Sequence, residues 1–107
     1  MSKYIDTYKT ELLRFDDPFA YLTFTDFGEG RGLMQIHSDW GAYSYYWGSM
    51  GSDIKTFVAG RDAGYIYTKL KSSLNYQDMK VAAHHRLHHF MIECWPAIHE
   101  KIKELAQ

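Results

Sequence analysis

Three runs of β-branched and aromatic residues, separated by two short glycine-containing loops, constrain the fold of this chain more than any other feature. The runs cover residues 19–27, 33–38 and 42–47. In the second run, apolar and polar side chains alternate with the period of two that is typical of a half-buried strand. Loops this short join neighbouring antiparallel strands. The sequence therefore predicts a three-stranded antiparallel β-meander over about residues 19–48.

The third strand carries most of the aromatic residues in this part of the chain. Strand alternation places Tyr43, Tyr45 and Trp47 on one face. Three large rings in a row are typical of the face that packs on helices, so we expect this face to be core. Tyr46 has the opposite parity, and Trp40 lies in the turn before the strand. We expect both rings to be exposed and to contact a partner.

Helical periodicity begins after Gly51. A short helix is predicted over residues 53–59, because Asp53 can cap it and apolar residues follow at helical spacing. The next stretch, residues 61–73, predicts a second helix with Asp62 near its start.

A longer apolar stripe with a spacing of three or four residues runs through the C-terminal third. Asn75 is a candidate N-cap for this helix. Pro96 removes a helical hydrogen bond, which predicts a break near Trp95 and a last helix at residues 97–106. Strands followed by helices predict an α+β fold, with three to four helices packed on one sheet face. We expect residues 1–107 to form one domain.

Composition narrows the possible environments and partners. Twelve basic and thirteen acidic side chains give a net charge of -1, which argues against a broad phosphate-binding face. Aromatic residues make up 17% of the chain, more than a small core hides. The single cysteine, Cys94, excludes an internal disulfide, and the N-terminal segment lacks the apolar stretch of a secretory signal. We expect a cytoplasmic protein without a membrane span.

The histidine-rich segment HHRLHH, residues 84–89, is the one candidate for chemistry. His84 and His88 have the spacing of two metal ligands on one helix, and His37 or His99 would have to complete a zinc site. Under this hypothesis, the protein is a small metal-dependent enzyme. Because two ligands make an incomplete site, the sequence assigns no catalytic residue, no metal ligand and no cofactor.

The outer face of the same helix favours partner binding. His85, Arg86 and His89 fall on this face, and we predict that they contact a partner together with Trp40 and Tyr46. A third hypothesis is direct nucleic-acid binding by stacked tyrosines and basic residues, which the near-zero net charge disfavours. Those basic residues are Lys69, Lys71, Lys80 and Arg86.

Three short motifs carry a resemblance to known proteins: FDDP at residues 15–18, SDWGAYSYYWGSMG at residues 38–51, and a KL pair that ends the following helix. Over residues 15–70, the chain resembles a group of short, largely uncharacterised accessory proteins of bacteriophages and prophages. The resemblance implies an accessory phage protein and transfers no catalytic residue.

Two of these hypotheses lead to different classes of function. The favoured one is an anti-CRISPR-like binding protein in the bacterial host's cytoplasm. It would inhibit or modulate a host defence or nucleic-acid-processing complex, and its partner would be a host protein or ribonucleoprotein complex. The alternative is the metal-dependent enzyme. The sequence leaves the oligomeric state open.

Overall fold

The computed structural model describes residues 8–76 and 81–107 of the chain. Four strands form one antiparallel sheet in chain order: β1 (Thr10–Asp16), β2 (Phe19–Gly28), β3 (Arg31–Ser38) and β4 (Gly41–Trp47). The helices follow: α1 (Ile54–Ala59), α2 (Ala63–Ser72), a 3-10 helix (Ser73–Tyr76), α3 (Val81–Glu93) and α4 (Trp95–Leu105). The predicted α+β class is confirmed.

The sheet has four strands where the sequence pattern predicts three. The additional strand, β1, is an edge strand that pairs only with β2. Its segment, TELLRFD, gives a weak strand signal because charged residues interrupt the apolar ones. Of its side chains, Leu13 and Phe15 pack against the core while most of the others are exposed.

The inner face of the sheet is the buried one. Tyr43 and Trp47 are buried there, and Tyr45 is partly buried against the same core. Tyr46 points to the opposite face and is 50% exposed. The parity predicted for β4 is therefore confirmed. Neighbouring strands add the other buried members of this face: Ala20, Leu22, Phe24, Met34 and Ile36.

The helices cover this inner face. Helix α1 contacts β2 and β3, α2 and α3 contact β4, and α4 packs against α1 and α3. The close approach of α1 to β3 depends on Gly32, because a Cβ at that position would lie 2.9 Å from Cβ of Ile54. Trp95, Ile98 and Ile102 of α4 are fully buried. Burial of each of the two isoleucines stabilises the fold by about 1.5–3 kcal/mol relative to an exposed side chain.

Side chains cap the first two helices as the sequence predicts. The Asp53 carboxylate accepts a hydrogen bond from the backbone N–H of Thr56, and Asp62 does the same for Tyr65. A further carboxylate from the sheet joins α1: Oδ2 of Asp26 accepts the Ile54 N–H at 3.1 Å. These bonds satisfy N–H groups that have no partner within the helix.

The predicted break near Trp95 is also confirmed. Helix α3 ends at Glu93, Cys94 follows, and α4 begins at Trp95. Pro96 lies in the first turn of α4, where the missing N–H costs no hydrogen bond. Asn75, the predicted cap, lies within the 3-10 helix. Residues 77–80, which follow that helix, lie outside the described part of the chain, so the predicted cap stays a prediction.

Two further hydrogen bonds, both from buried or half-buried side chains, join the helices to the rest of the core. The indole N–H of Trp47 donates to the Tyr65 hydroxyl at 2.9 Å and links β4 to α2. Nε2 of His99 donates to the Val58 carbonyl at 3.1 Å and links α4 to the last turn of α1. Buried polar groups need such partners because leaving one unpaired costs about 1–3 kcal/mol.

Candidate functional site

The β3–β4 turn holds Trp40 in a defined position. Oγ of Ser38 accepts the Trp40 N–H at 3.2 Å and donates to the Gly41 carbonyl at 2.8 Å. The Tyr43 hydroxyl donates to the Trp40 carbonyl at 3.3 Å. Burial raises the pKa of the Cys94 thiol, and a hydrogen bond from the Trp40 side chain partly opposes this rise. Contacts from the turn and from the end of α3 therefore hold the indole in place.

The Trp40 ring stacks on an imidazole of α3. The centroids of the Trp40 and His89 rings lie 5.5 Å apart with an interplanar angle of 13°. The series continues to His88, whose centroid is 6.3 Å from that of His89, and to Tyr67 of α2, which is 6.1 Å from His88. Four rings therefore run from α2 across α3 to the β3–β4 turn.

Four of the five residues predicted to contact a partner form one surface. We call Trp40, His85, Arg86 and His89 the helix-3 surface. The three α3 side chains are exposed, and helical spacing places them on neighbouring turns. Burial raises the pKa of Tyr43, and the nearby charge of Arg86 partly opposes this, so the guanidinium lies close to the turn.

Trp40 differs from the prediction in its burial. The sequence predicts an exposed ring because the residue lies in a turn, whereas the structure has it half-buried and packed against the core. The stack on His89 and the hydrogen bond to Cys94 account for the difference. Both partners come from the end of α3, far along the chain, so a local pattern contains no signal for them.

Tyr46, the fifth predicted contact residue, lies elsewhere. It belongs to the sheet face that points away from the helices, which we call the outer sheet face. Its ring centroid is 6.0 Å from that of Phe27, and Phe27 is 4.7 Å from Tyr8. Because the sheet separates this ring cluster from α3, Tyr46 does not join the helix-3 surface.

Comparison with protein-family models shows which family the chain belongs to. The model of the phage family Phage_phiTE_072 matches residues 4–88, which include the whole sheet and most of α3. The chain belongs to this phage family. The resemblance to phage proteins is thereby confirmed at the level of the family. No curated protein and no solved structure matches the chain.

The described part of this phage-family protein does not assemble the metal site considered above. Within residues 8–76 and 81–107, no group of three or more His, Cys, Asp or Glu side chains is placed to hold a metal ion. His37 lies on the outer sheet face, where its ring contacts Phe19. His99 is buried and bonded to the Val58 carbonyl. Neither residue supplies a third ligand to His84 and His88.

The basic residues considered for nucleic acid are dispersed in the phage-family protein. Nζ of Lys69 lies over the rings of Tyr45 and Tyr65, at 5.5 and 5.2 Å from their centroids. Nζ of Lys71 lies 5.7 Å from the Tyr67 centroid, at the far end of the ring series. Lys80 lies outside the described residues. Among the helices of the described chain, none is long and apolar enough to span a bilayer.

Proposed function

We propose that this phage-family protein is a binding protein that inhibits or modulates a host defence or nucleic-acid-processing complex by protein–protein contact, in an anti-CRISPR-like manner. The observation that carries the proposal is the helix-3 surface. There, a pre-organised indole lies beside an exposed arginine and two exposed histidines. Tryptophan, tyrosine and arginine dominate the binding energy of protein interfaces.

The geometry of Trp40 favours such a role. A ring already fixed by His89 and Cys94 loses little conformational freedom on binding, so more of its contact energy appears as affinity. The part of the indole that remains accessible offers an apolar edge to a shallow pocket. Arg86 adds a guanidinium, which pairs best with a carboxylate in two parallel hydrogen bonds. The matching surface of the partner is therefore an apolar pocket rimmed by acidic groups.

Charge reversal on the helix-3 surface tests the proposal. Wild-type protein and Arg86→Glu are immobilised and exposed to lysate of the host bacterium, and the retained protein is purified and titrated in solution. Lys101→Glu is the matched control, because it makes the same charge change at an exposed position of α4. We expect the partner to bind wild type and control alike, and Arg86→Glu to raise its Kd roughly 10-fold or more.

The inhibition itself is measured on the retained complex. Saturating wild-type protein should reduce the activity of that complex, and Arg86→Glu should do so only at correspondingly higher concentration. Equal binding by all three proteins would exclude the helix-3 surface as the contact. A retained complex whose activity is unchanged by saturating protein would exclude inhibition.

A second candidate function rests on the series of four rings. The rings lie about 6 Å apart, with His88 edge-on to Tyr67 and to His89, and Lys71 lies at one end of the series. Exposed aromatic side chains beside a cation are a feature of proteins that bind single-stranded nucleic acid. Two carboxylates disfavour a phosphate backbone at the Trp40 end, since Asp39 and Glu93 lie near enough to raise the pKa of Cys94. Fluorescence anisotropy with a labelled oligothymidylate measures this binding. Salt-sensitive binding that Lys71→Glu abolishes would favour this second candidate over the protein contact.

A further inference from the structure

A depression in the outer sheet face crosses three strands, β2, β3 and β4. Its volume is about 350 Å³, which lies within the range of small-molecule sites. The side chains that line it on this face form two neighbouring cross-strand rows, Tyr21–His37–Ala42 and Thr23–Gln35–Ser44. We call this site the outer-face depression. Strands build it, so its lining residues have fixed positions relative to one another.

Differences in side-chain size make this part of the face concave. Ala42 and Ser44 are small residues on β4, whereas Tyr21 stands on β2 at the other side of the depression. Because neighbouring strands are about 4.8 Å apart, β2 and β4 lie about 10 Å from each other. The two rows are two residues apart, which is about 7 Å along a strand. This space has the width of one or two six-membered rings.

Three aromatic rings form one wall of the outer-face depression. Phe19 contacts Tyr21 edge to face, with ring centroids 5.3 Å apart and an interplanar angle of 79°. It also contacts His37 on the neighbouring strand, at 6.5 Å and 88°. Phe19 is partly buried, whereas Tyr21 keeps 36% of its surface exposed. A tyrosine ring supported in this way loses little conformational freedom when a ligand packs on it.

The other groups in the outer-face depression are polar and uncharged. Thr23 and Ser44 supply hydroxyls and Gln35 supplies an amide, and each of these groups can both donate and accept hydrogen bonds. None of the side chains that line the depression is a carboxylate, an ammonium or a guanidinium. Arg14 of the adjacent strand β1 is engaged by Asp16 in an ion pair of 2.9 Å. The site therefore suits a neutral ligand that both donates and accepts hydrogen bonds.

We propose that the outer-face depression binds a neutral carbohydrate. A pyranose ring has a face of C–H groups that packs on an aromatic ring, and its hydroxyls both donate and accept hydrogen bonds. Tyr21 supplies the aromatic surface. Gln35 and Ser44 bind the hydroxyls and fix the orientation of the sugar. This inference is independent of the proposed function, because the sheet separates the depression from the helix-3 surface.

Nucleic acid fits the same site less well. Aromatic side chains also stack on bases, but proteins that bind single strands combine such rings with a positively charged groove along the phosphates. The lining of the outer-face depression supplies no such charge, and the guanidinium of Arg14 is already paired. The absence of charge among the lining residues therefore favours the sugar.

Titration with short oligosaccharides tests the site. Isotope-labelled wild-type protein is titrated to millimolar concentrations with maltotriose, cellotriose and N-acetylated chitotriose, and amide chemical shifts in NMR spectra locate the contact. We expect at least one sugar to shift the amides of Thr23, Gln35 and Ser44 in a saturable manner. For that sugar, Tyr21→Ala should raise the Kd roughly 10-fold or more. Gln35→Ala should raise it about 2- to 10-fold, the effect of one lost hydrogen bond.

Tyr46→Ala is the matched control, because it removes a ring that is 50% exposed on the same face but outside the depression. It should bind the sugar with the wild-type Kd. The NMR spectra also show whether each variant is folded, and Gln35→Ala keeps the test decisive if Tyr21→Ala unfolds. The absence of saturable shifts with all three sugars would overturn the proposal, as would wild-type affinity in Gln35→Ala and every other folded variant of the depression. Shifts of the same amides by an oligothymidylate and by none of the sugars would overturn it in favour of nucleic acid.

Discussion

Gly41 determines how closely the β3–β4 turn packs on Tyr43. Its φ is +151°, a conformation that L side chains rarely adopt, and a Cβ at this position would lie 2.8 Å from the Tyr43 hydroxyl oxygen. The same hydroxyl donates to the Trp40 carbonyl. One small residue therefore allows the contact that positions the indole of the helix-3 surface.

We expect Gly41→Ala to lower the free energy of unfolding by about 1–3 kcal/mol, the range for a strained backbone position. The loss should be smaller in a Tyr43→Phe background, because phenylalanine lacks the oxygen that the new methyl group meets. Urea denaturation followed by tryptophan fluorescence measures the four proteins of this double-mutant cycle. Gly48→Ala is the control, since a Cβ there meets only the Tyr46 ring, at 3.7 Å. Equal losses in both backgrounds would exclude the hydroxyl as the cause.

At the scale of single elements, the start of α1 makes stability depend on pH. Hydrogen bonds from Thr56 lower the pKa of Asp53 below its ordinary value, and the positive charge of Lys55 contributes further. In the unfolded chain, this carboxyl takes up its proton near pH 3.9. Because the folded-state pKa is lower, the cap stabilises the protein above the unfolded pKa, and this contribution is lost as the pH falls through the folded pKa.

Asp53→Ala should therefore reduce the free energy of unfolding by about 0.5–2 kcal/mol at neutral pH, as expected for loss of a helix cap. The difference from wild type should shrink below about pH 4, where the wild-type carboxylate becomes protonated. Asp53→Asn separates capping from charge, because asparagine caps without titrating. Thermal melts of the three proteins between neutral and acid pH measure this. If Asp53→Ala stayed equally destabilising at acid pH, the cap would not depend on the ionised carboxylate of Asp53.

Helix α3 has two faces with opposite roles. Leu87 and Phe90 are fully buried against the rest of the core, whereas Ile92 on the same helix is 55% exposed. Leu87→Ala and Phe90→Ala should each lower the free energy of unfolding by about 2–5 kcal/mol, since each leaves a cavity. Ile92→Ala is the matched control and should stay within about 0.5 kcal/mol of wild type. Chemical denaturation measures all three, and wild-type stability in both buried variants would contradict the packing of α3.

At the scale of the whole molecule, the sequence predicts those features of the fold that depend on local periodicity. The alternation in β4 predicts the burial of Tyr43 and Trp47 and the exposure of Tyr46, because a strand has no other way to place them. Strand β1 has no such signal, since as an edge strand it buries few side chains. The half-buried state of Trp40 depends on a stack with His89, which only the tertiary fold brings near.

The two surfaces face in opposite directions, and this has a consequence for affinity. Helices cover one side of the sheet, and the outer sheet face is the other. Tyr46 lies on the outer sheet face, whereas Arg86 belongs to the helix-3 surface. A partner seated on the helix-3 surface therefore does not need Tyr46.

We therefore expect Tyr46→Glu to bind the partner in solution with the wild-type Kd, since its helix-3 surface is intact, whereas Arg86→Glu should raise the Kd roughly 10-fold or more. Isothermal titration calorimetry measures both constants, and circular dichroism spectra check that each variant is folded. A Tyr46→Glu variant that loses partner binding in solution would place Tyr46 in the partner contact and merge the two surfaces into one functional site.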